Sequence, residues 1–535
     1  MAPPRIAVVA PPPLKPSEPG VSGGAAAVAL ARRGAVVRWF DASLGWHRFA
    51  LDPERLQRNL DAAGAALPIE ERRALHRGLA SRRAAPPRLR RVETYADRDV
   101  YTSAVNDLEN ALRAAALPFP GWRLGIAMAA LERPTRRLES SAVLEWTASR
   151  PGPFDEYYLD ELLPELARFA PDVVAVSLTF QQQAPAAFRL ARLLGERLPS
   201  ARRALGGPLV ACWLAAGFRL DRAPFTAFDE RSAGTDADLD RLARASAAPG
   251  DGPLTVPPDE ASWGDYLVPS PVVPAALGRG CYWRRCTFCP DHLHPPHAAC
   301  AADGLERWLR ETAARFGPTG AMLHLTDSAL PPGHLLRLAR AIREERLPLR
   351  WHGFVRVEPE LADPAFAREL AEGGCAMLQL GVETAAPRLC ELLGKGVDPE
   401  LVRRALRSTA AAGIRNHVYL LFGLPTETDE EREATLAFVE AEAASIHAVN
   451  PALLNLPKGS PMHRRPERYG ITELVPFGTE TDLSLYDDFR CGASHPRPEA
   501  RRWMGRRLFK SAALQAIQGR LRQPFKANHL CFLER

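Results

Sequence analysis

The stretch Gly278-Arg-Gly-Cys-Tyr-Trp-Arg-Arg-Cys-Thr-Phe-Cys289 places three cysteines within nine residues of a chain of 535. Three thiols in one loop can bind a metal ion or an iron–sulfur cluster from a single segment. A cubane cluster usually takes four thiolates, so three would leave one iron open to a substrate or a cofactor. Zinc is the alternative, because a tetrahedral site accepts three cysteines and one histidine, and His292 and His294 follow directly. The spacing alone also allows three unligated cysteines.

The composition excludes several classes of protein. Hydrophobic residues make up 46% and charged residues 25% of the chain, which is ordinary for a folded soluble protein. The 69 Lys and Arg against 63 Asp and Glu leave a formal net charge of +6, which gives no indication of nucleic acid binding. No apolar run approaches the roughly 18 residues of a membrane helix, and none resembles a signal-peptide core. We therefore expect a cytoplasmic protein with no membrane partner, where grouped thiols indicate metal binding or catalysis.

The first part of the chain alternates strand and helix patterns. Short apolar runs at 5–10 and 36–40 flank a helix that starts near Ser22, and strand candidates follow at 172–180 and 203–207. Such alternation is typical of a parallel sheet covered by helices. We therefore predict a doubly wound, Rossmann-like domain in this part of the chain.

From residue 275 the alternation becomes regular. Six strand candidates alternate with helical patterns, which predicts a partial (β/α)6 barrel because a full barrel has eight such steps. The candidates are 275–278, 321–326, 349–357, 377–381, 417–422 and 449–456. The chain as a whole is predicted to be an α/β protein with a doubly wound domain at 1–245, a helical insertion in it at about 52–145, a linker at 246–274, the barrel at 275–460 and a C-terminal helical extension at 461–535.

The cysteine loop resembles the cluster loop of the radical S-adenosylmethionine (SAM) superfamily. Four residues separate Cys281 from Cys286, where three are usual in that superfamily, and longer spacings occur among its members. The resemblance implies that Cys281, Cys286 and Cys289 hold a 4Fe–4S cluster whose fourth iron is chelated by SAM. It also implies that Phe288 packs near the adenine of SAM.

Polar residues and turns at the predicted strand ends extend this resemblance. They follow the second to fifth strand candidates in order, and barrel enzymes place their chemistry at the carboxyl ends of strands. Taken singly, each has a structural alternative, such as a cap of the next helix for Glu383. The implied SAM contacts are Glu383 and Thr384 at the ribose or the amino acid part, Gly423 and Pro425 beside adenine, and Asp327 and Arg356 elsewhere in the pocket.

The order of an α/β domain, a linker and a radical SAM barrel resembles the cobalamin-binding subclass. The positions that correspond to contacts with the nucleotide tail of the corrinoid are Ser177, Thr179, Gly206 and Gly207. Small residues suit this role because they let the backbone approach the tail and its phosphate. The Asp-x-His-x-x-Gly signature, whose histidine binds cobalt, is absent, since the loop 10–23 contains no histidine. The alternative is a domain without cobalamin that only covers the barrel mouth.

Together these resemblances imply an enzyme that reductively cleaves SAM at a 4Fe–4S cluster and functionalises an unactivated carbon. A cobalamin-dependent C-methyltransferase of secondary metabolism, or of peptide or cofactor modification, is the favoured interpretation. The alternatives are a rearrangement or cyclisation with or without cobalamin, and a non-catalytic protein that binds zinc or a cluster. The implied partners are a small-molecule or peptide substrate and an external electron donor such as flavodoxin or ferredoxin. No catalytic side chain stands out from the sequence.

Overall fold

Two sheets of mainly parallel strands organise the chain, one in each half. The computed structural model describes residues 2–63, 68–70, 73, 75, 85–131, 137–244, 253–257, 262–293, 297–478, 480–519 and 525–533, so parts of the predicted insertion and linker lie outside the described residues. The strands are β1 (Arg5–Val9), β2 (Val36–Phe40), β3 (Trp122–Gly125), β4 (Met128–Leu131), β5 (Val173–Ser177), β6 (Arg202–Gly206), β7 (Glu230–Arg231), β8 (Leu254–Thr255), β9 (Val272–Ala276), β10 (Gly278–Arg279), β11 (Ala298–Ala299), β12 (Ala321–Leu325), β13 (Leu349–Val355), β14 (Cys375–Glu383), β15 (Arg415–Phe422), β16 (Ala448–Leu453), β17 (Leu456–Pro457), β18 (Glu473–Pro476) and β19 (Tyr486–Arg490).

The N-terminal sheet has the order β2-β1-β5-β6-β7, and all of its pairings are parallel. Strand β1 is buried on both faces, because Ile6 and Val8 pack into one apolar cluster and Ala7 and Val9 into another. This double burial explains its continuous apolar sequence. The prediction of a doubly wound α/β domain is confirmed.

Helices cover both faces of this sheet and form most of the described part of the insertion. Their bounds are Val21–Ala31, Ala42–Ala50, Pro53–Ala63, Ala85–Leu89, Arg98–Ala115, Ser141–Ala148, Asp155–Tyr157, Leu163–Phe169, Ala184–Arg197, Pro208–Ala215 and Asp236–Ala243. The insertion also contains the antiparallel hairpin β3–β4, which the sequence patterns did not predict. Each strand of this hairpin has only four residues, too few to show a clear alternation.

The C-terminal sheet has the order β16-β15-β14-β13-β12-β9-β8, with β8 antiparallel to β9 and the other pairings parallel. Six parallel strands and no pairing between β16 and β8 among the described residues agree with the predicted partial barrel. The helices between and after these strands are Ala302–Phe316, Pro332–Glu344, Pro364–Glu372, Pro387–Leu392, Pro399–Ala411 and Asp429–Ala441.

The predicted start of the barrel was three residues late. Strand β9 begins at Val272, inside the predicted linker, and β8 pairs with it from the same segment. Val272 and Val273 are buried against the rest of the sheet. Pro271 and Pro274 bracket the start of the strand, and proline is rare inside strands, so the pattern resembled a loop.

The C-terminal extension is only partly helical. Strands β17, β19 and β18 form an antiparallel sheet that the sequence did not predict. The helices here are Pro461–Arg464, Pro496–Arg506, Ala512–Gln518 and Lys526–His529. The final segment packs against the amino ends of the barrel strands, where Arg415 at the start of β15 donates to the carbonyls of Cys531 and Leu533. Among the described residues, no helix is both long and apolar enough to cross a membrane.

Gly207 offers a test of the packing at the end of β6. Its φ is +100°, and a Cβ there would lie 2.4 Å from the Leu178 carbonyl oxygen. Gly217 is a matched control because its φ is +81° and a Cβ there would meet nothing within 4 Å. We expect Gly207→Ala to reduce the free energy of unfolding by about 1–3 kcal/mol more than Gly217→Ala, because only Gly207 adds overpacking to the backbone strain. Urea denaturation measures this, and equal losses would contradict it.

Candidate cluster and cofactor site

The cysteine loop is hydrogen-bonded to the turn that follows the helix Pro387–Leu392. The backbone N–H of Thr287 donates to the Leu393 carbonyl at 2.9 Å, and its hydroxyl donates to the Leu392 carbonyl at 2.8 Å. The indole N–H of Trp283 donates to the carbonyl of Gly394 at 3.0 Å. These three bonds hold the loop along this turn.

Two glycines of the turn make this close approach possible. Gly394 and Gly396 have φ of +66° and +65°, a region that favours glycine. A Cβ on Gly394 would lie 2.5 Å from the Arg285 carbonyl oxygen, and one on Gly396 would lie 2.6 Å from the Trp283 ring. Both glycines are therefore needed for the contact with the cysteine loop as well as for the turn itself.

The three thiols lie close to one another on this loop. Burial raises the pKa of Cys289 to about 12, and the neighbouring Cys286 and Cys281 contribute to the rise. Burial also raises the pKa of Cys286, and the positive charges of Lys395 and Arg356 oppose that rise. The protein thus places positive charge where ligating thiolates would need it.

The end of β14 brings an acidic group to the same place. Glu383 has φ of +65° next to a register shift in the β14–β15 pairing. Its carboxylate accepts a hydrogen bond from Lys395 Nζ at 3.0 Å. Arg356 donates to the Lys395 carbonyl, and its guanidinium lies 3.5 Å from the centroid of the Trp283 ring. Strained backbone of this kind is typical of functional sites.

The donor set fits an iron–sulfur cluster bound by three cysteines. Three half-buried thiols on one loop lie beside the Lys395 and Arg356 side chains, and thiolates are the usual ligands of such clusters. Within the described part of the chain, no three Cys, His, Asp or Glu side chains converge closely enough to hold a single metal ion. The side chain of His292 and the whole of His294, which the zinc alternative invokes, lie outside the described residues.

The other predicted SAM contacts lie near this site, but most already have structural partners. The carboxylate of Asp327 accepts from the backbone N–H of Leu277 at 3.0 Å, and burial raises its pKa to about 6. The Thr384 hydroxyl contacts that of Thr435 at 3.1 Å. Gly423 donates to the Glu427 carboxylate at 2.7 Å, Pro425 is buried, and Phe288 packs against an apolar cluster.

A cavity of about 350 Å³ lies at the carboxyl edge of the N-terminal sheet. Ser177, Gly206 and Gly207 line it, as do many small aliphatic residues and, from β10, the side chain of Arg279. The Thr179 hydroxyl lies 2.6 Å from the Ser22 hydroxyl, which also contacts Ser177 at 3.0 Å. Three of the four residues predicted from the cobalamin resemblance therefore line one cavity, and the fourth adjoins it through Ser22.

The loop after β1 packs against the barrel. Residues 11–19 are buried apart from the half-buried Lys15. Lys15 Nζ lies 2.5 Å from Glu18, whose other carboxylate oxygen accepts from His324 Nδ1 of β12 at 2.7 Å. The segment in which the cobalt-binding histidine would occur thus connects the two halves of the molecule.

Sequence reasoning missed several residues of these sites. Trp283, Ser22 and Arg279 all contribute contacts described above. Lys395-Gly396 matches the family pattern after a helix, although the same sequence resembles a simple helix stop. The contacts of Trp283 and Ser22 depend on the order of the strands in the two sheets, and a single sequence does not reveal that order.

Comparison with known proteins identifies the class of the barrel. Residues 276–439 match the family model of the Radical SAM superfamily. The chain therefore contains a radical SAM domain, which confirms the assignment made from the cysteine loop and the strand ends. A domain of this kind implies SAM and a 4Fe–4S cluster as cofactors.

Individual relatives are distant. The chain is 28% identical over 173 residues to the uncharacterized methyltransferase PH0819 of Pyrococcus horikoshii, covering 30% of this chain and 35% of the relative. It is 26% identical over 197 residues to the ribosomal protein uS12 methylthiotransferase RimO of Syntrophobacter fumaroxidans, covering 33% and 41%. The matches therefore span well under half of the length of these curated relatives.

Two of the solved structures with similar chains are also described as SAM radical enzymes. The methyltransferase TsrM from Kitasatospora setae, with tryptophan and a SAM analogue bound, matches at 17% identity and a TM-score of 0.45, covering 72% of this chain and 86% of that one. The cobalamin-dependent enzyme OxsB, with aqua-cobalamin and SAM bound, matches at 15% identity and a TM-score of 0.42, covering 58% and 49%.

Gly396 tests the contact between the turn and the cysteine loop. We expect Gly396→Ala to displace Trp283 and to lower the iron bound per chain after anaerobic reconstitution by about half or more, because overpacking here moves the loop by more than a cluster site tolerates. Gly317→Ala is the matched control, since Gly317 has φ of +57° and a Cβ there would meet nothing within 4 Å. Iron analysis and visible absorbance measure the effect, and equal iron in the two variants would contradict it.

Proposed function

We propose that this protein is a cobalamin-dependent radical SAM enzyme that transfers a methyl group to an unactivated carbon of a small-molecule or peptide substrate. The observation that carries the proposal is the cavity of the N-terminal sheet, which extends to Arg279, two residues before Cys281. A site for a large cofactor therefore adjoins the cysteine loop. We further propose that the protein is cytoplasmic and receives electrons from a flavodoxin or a ferredoxin.

The residues of the cysteine loop would hold the cluster, and those at the strand ends would hold SAM. When bound, the cluster supplies the electron that cleaves SAM to methionine and a 5′-deoxyadenosyl radical. Cys281, Cys286 and Cys289 provide the thiolates, and the turn at 392–396 fixes their loop. Glu383, whose carboxylate accepts a hydrogen bond from Lys395, would accept another from the amino group or the ribose of SAM.

The cavity of the N-terminal domain suits the nucleotide tail of cobalamin. When bound, cobalamin supplies the methyl group. The small and aliphatic residues of the cavity can surround the apolar base of the tail, and the hydroxyls of Ser22, Ser177 and Thr179 can bond to its polar atoms. The loop after β1 engages the barrel through Glu18 and carries no histidine, so cobalt would have no histidine ligand from this loop.

Cys286→Ala tests the cluster. We expect wild-type protein to bind about four iron atoms per chain after anaerobic reconstitution and to form 5′-deoxyadenosine from SAM when reduced. Cys286→Ala should lose the brown colour and lower that product to background, since two thiolates do not retain the cubane. Cys491→Ala is the control, because Cys491 is a half-buried cysteine of the C-terminal extension. Iron and activity retained by Cys286→Ala would reject the assignment, and a colourless wild-type protein with one zinc would favour the non-catalytic alternative.

Ala211→Phe tests the cobalamin site. Ala211 lines the cavity from the helix Pro208–Ala215, so a phenyl ring there would occupy the space that the nucleotide tail needs. We expect wild-type protein to retain the absorbance of cobalamin through gel filtration and Ala211→Phe to lose most of it. Ala215→Phe is the matched control, because Ala215 is exposed on the same helix and does not line the cavity. Equal retention by both variants, or none by the wild type, would contradict the assignment.

A further inference from the structure

A layer of polar side chains lies inside the barrel, apart from the proposed SAM site. His324 of β12, His352 of β13, Gln379 of β14 and His417 of β15 project from the inner face of the sheet. The His324 and His352 rings are stacked with centroids 4.4 Å apart, and His417 is near enough to influence the pKa of His352. Gln379 and His417 are register partners on neighbouring strands. The proposed cluster and SAM chemistry uses none of these residues.

Two members of this layer have hydrogen-bonding atoms without partners. His352 and Gln379 are both 0% exposed. Among the described residues, neither ring nitrogen of His352 has a partner, and neither does the amide nitrogen of Gln379, although the Gln379 oxygen accepts from the Tyr419 hydroxyl at 2.8 Å. Buried polar groups are nearly always paired, and leaving one unpaired destabilises the folded protein. A ligand that accepts hydrogen bonds would remove this cost.

The two members of the layer with unpartnered atoms, His352 and Gln379, are uncharged. Burial alone would raise the pKa of Glu18, but His324 and Lys15 together hold it well below its usual range, so Glu18 is ionised and offsets the Lys15 ammonium. Burial lowers the pKa of His352 far below its usual range, and the adjacent His324 lowers it further. His352 is therefore a neutral ring that can donate one N–H. A charged group seated against His352 and Gln379 would meet no opposite charge on either side chain.

Two aromatic rings stand beside this layer toward the carboxyl ends of the strands. Phe354 is two residues beyond His352 on the same face of β13 and is 38% exposed, although it belongs to a strand inside the sheet. Its ring centroid lies 5.0 Å from that of Tyr419, at 50°. Arg356, at the proposed SAM site, is two residues beyond Phe354, directly after the end of β13. The exposed ring thus borders accessible space on the carboxyl side of the polar layer.

We propose that this space is the substrate pocket and that it takes a planar, uncharged group, aromatic or heteroaromatic. The plane of that group packs against Phe354 and Tyr419, and a carbonyl oxygen or ring nitrogen on it accepts hydrogen bonds from His352 and Gln379. This inference rests on the proposed function, which places SAM at the carboxyl ends of the same strands. It adds the chemical class of the substrate and the residues that select it.

Binding of small probes to the full-length protein tests the inference. The probes are benzamide, which is planar and neutral with a carbonyl acceptor, benzoate, which is charged, and cyclohexanecarboxamide, which is not planar. We expect benzamide to bind at least about fivefold more tightly than either of the others, because cyclohexanecarboxamide loses the aromatic contact and benzoate would have to bury a charge beside uncharged side chains. Saturation-transfer NMR titrations measure the affinities. Equal affinity for all three, or no binding of benzamide, overturns the inference.

Variants locate the binding. Phe354→Ala should weaken benzamide binding about fivefold or more, whereas Phe509→Ala, which removes a ring 43% exposed on the C-terminal extension, should leave it unchanged. Gln379→Met should weaken the binding of benzamide and leave the binding of toluene, which has no hydrogen-bond acceptor, unchanged. Phe354 is exposed, so its variant is expected to fold even where Gln379→Met does not. Wild-type affinity in Phe354→Ala overturns the inference.

Formation of 5′-deoxyadenosine without substrate separates the two proposals. If wild-type protein cleaves SAM but Phe354→Ala binds benzamide as tightly as wild type, the proposed substrate pocket is wrong and the proposed function stands. If Phe354→Ala weakens benzamide binding but reduced wild-type protein does not cleave SAM, the proposed function is wrong. The barrel interior is then still a pocket for planar neutral groups.

Discussion

The hydrogen bonds between the cysteine loop and the turn at 392–396 are the contact on which the site depends. A helix leaves its last carbonyls without partners, and the helix Pro387–Leu392 ends at this turn. The carbonyls of Leu392, Leu393 and Gly394 accept from Thr287 and Trp283 of the loop. The loop has little regular structure of its own, so its donors and the carbonyls at the helix end serve as each other's hydrogen-bond partners. The position of the three thiols therefore depends on β14 and the helix that follows it.

This arrangement explains which features the sequence could predict. Apolar strand runs, their alternation with helices and the spacing of Cys281, Cys286 and Cys289 are local properties, and local patterns are sufficient to indicate elements and a ligand loop. Their order along the chain also predicted a partial barrel. The strands whose presence or bounds the sequence did not predict are short or contain proline, as β8 and β9 show. Their sequence pattern therefore resembles that of loops.

A single sequence did not predict which side chains contact each other, for a different reason. Lys395 and Glu383 are 12 residues apart and meet through the course of the helix and turn after β14, and Trp283 and Arg356 are 73 apart and meet through the order of the strands in the sheet. The Pro-rich loop after β1 is a further example. Its composition is typical of an exposed turn, yet most of it is buried against the barrel. The prolines leave few backbone N–H groups to satisfy there, which makes burial of an irregular segment less costly.

Burial of that loop also determines how the barrel interior is reached. Val272, Met322, Met377 and Ala448, near the amino ends of barrel strands, share one apolar cluster with residues of the N-terminal domain and of the final segment. An apolar core shared by two domains leaves them little freedom to separate. Among the described residues, the amino ends of the strands are thus closed, and the carboxyl ends and the side between β16 and β8 remain. A molecule that enters by the carboxyl ends passes the cysteine loop before it reaches His352 and Gln379, so its outer part is left beside the proposed site of SAM cleavage.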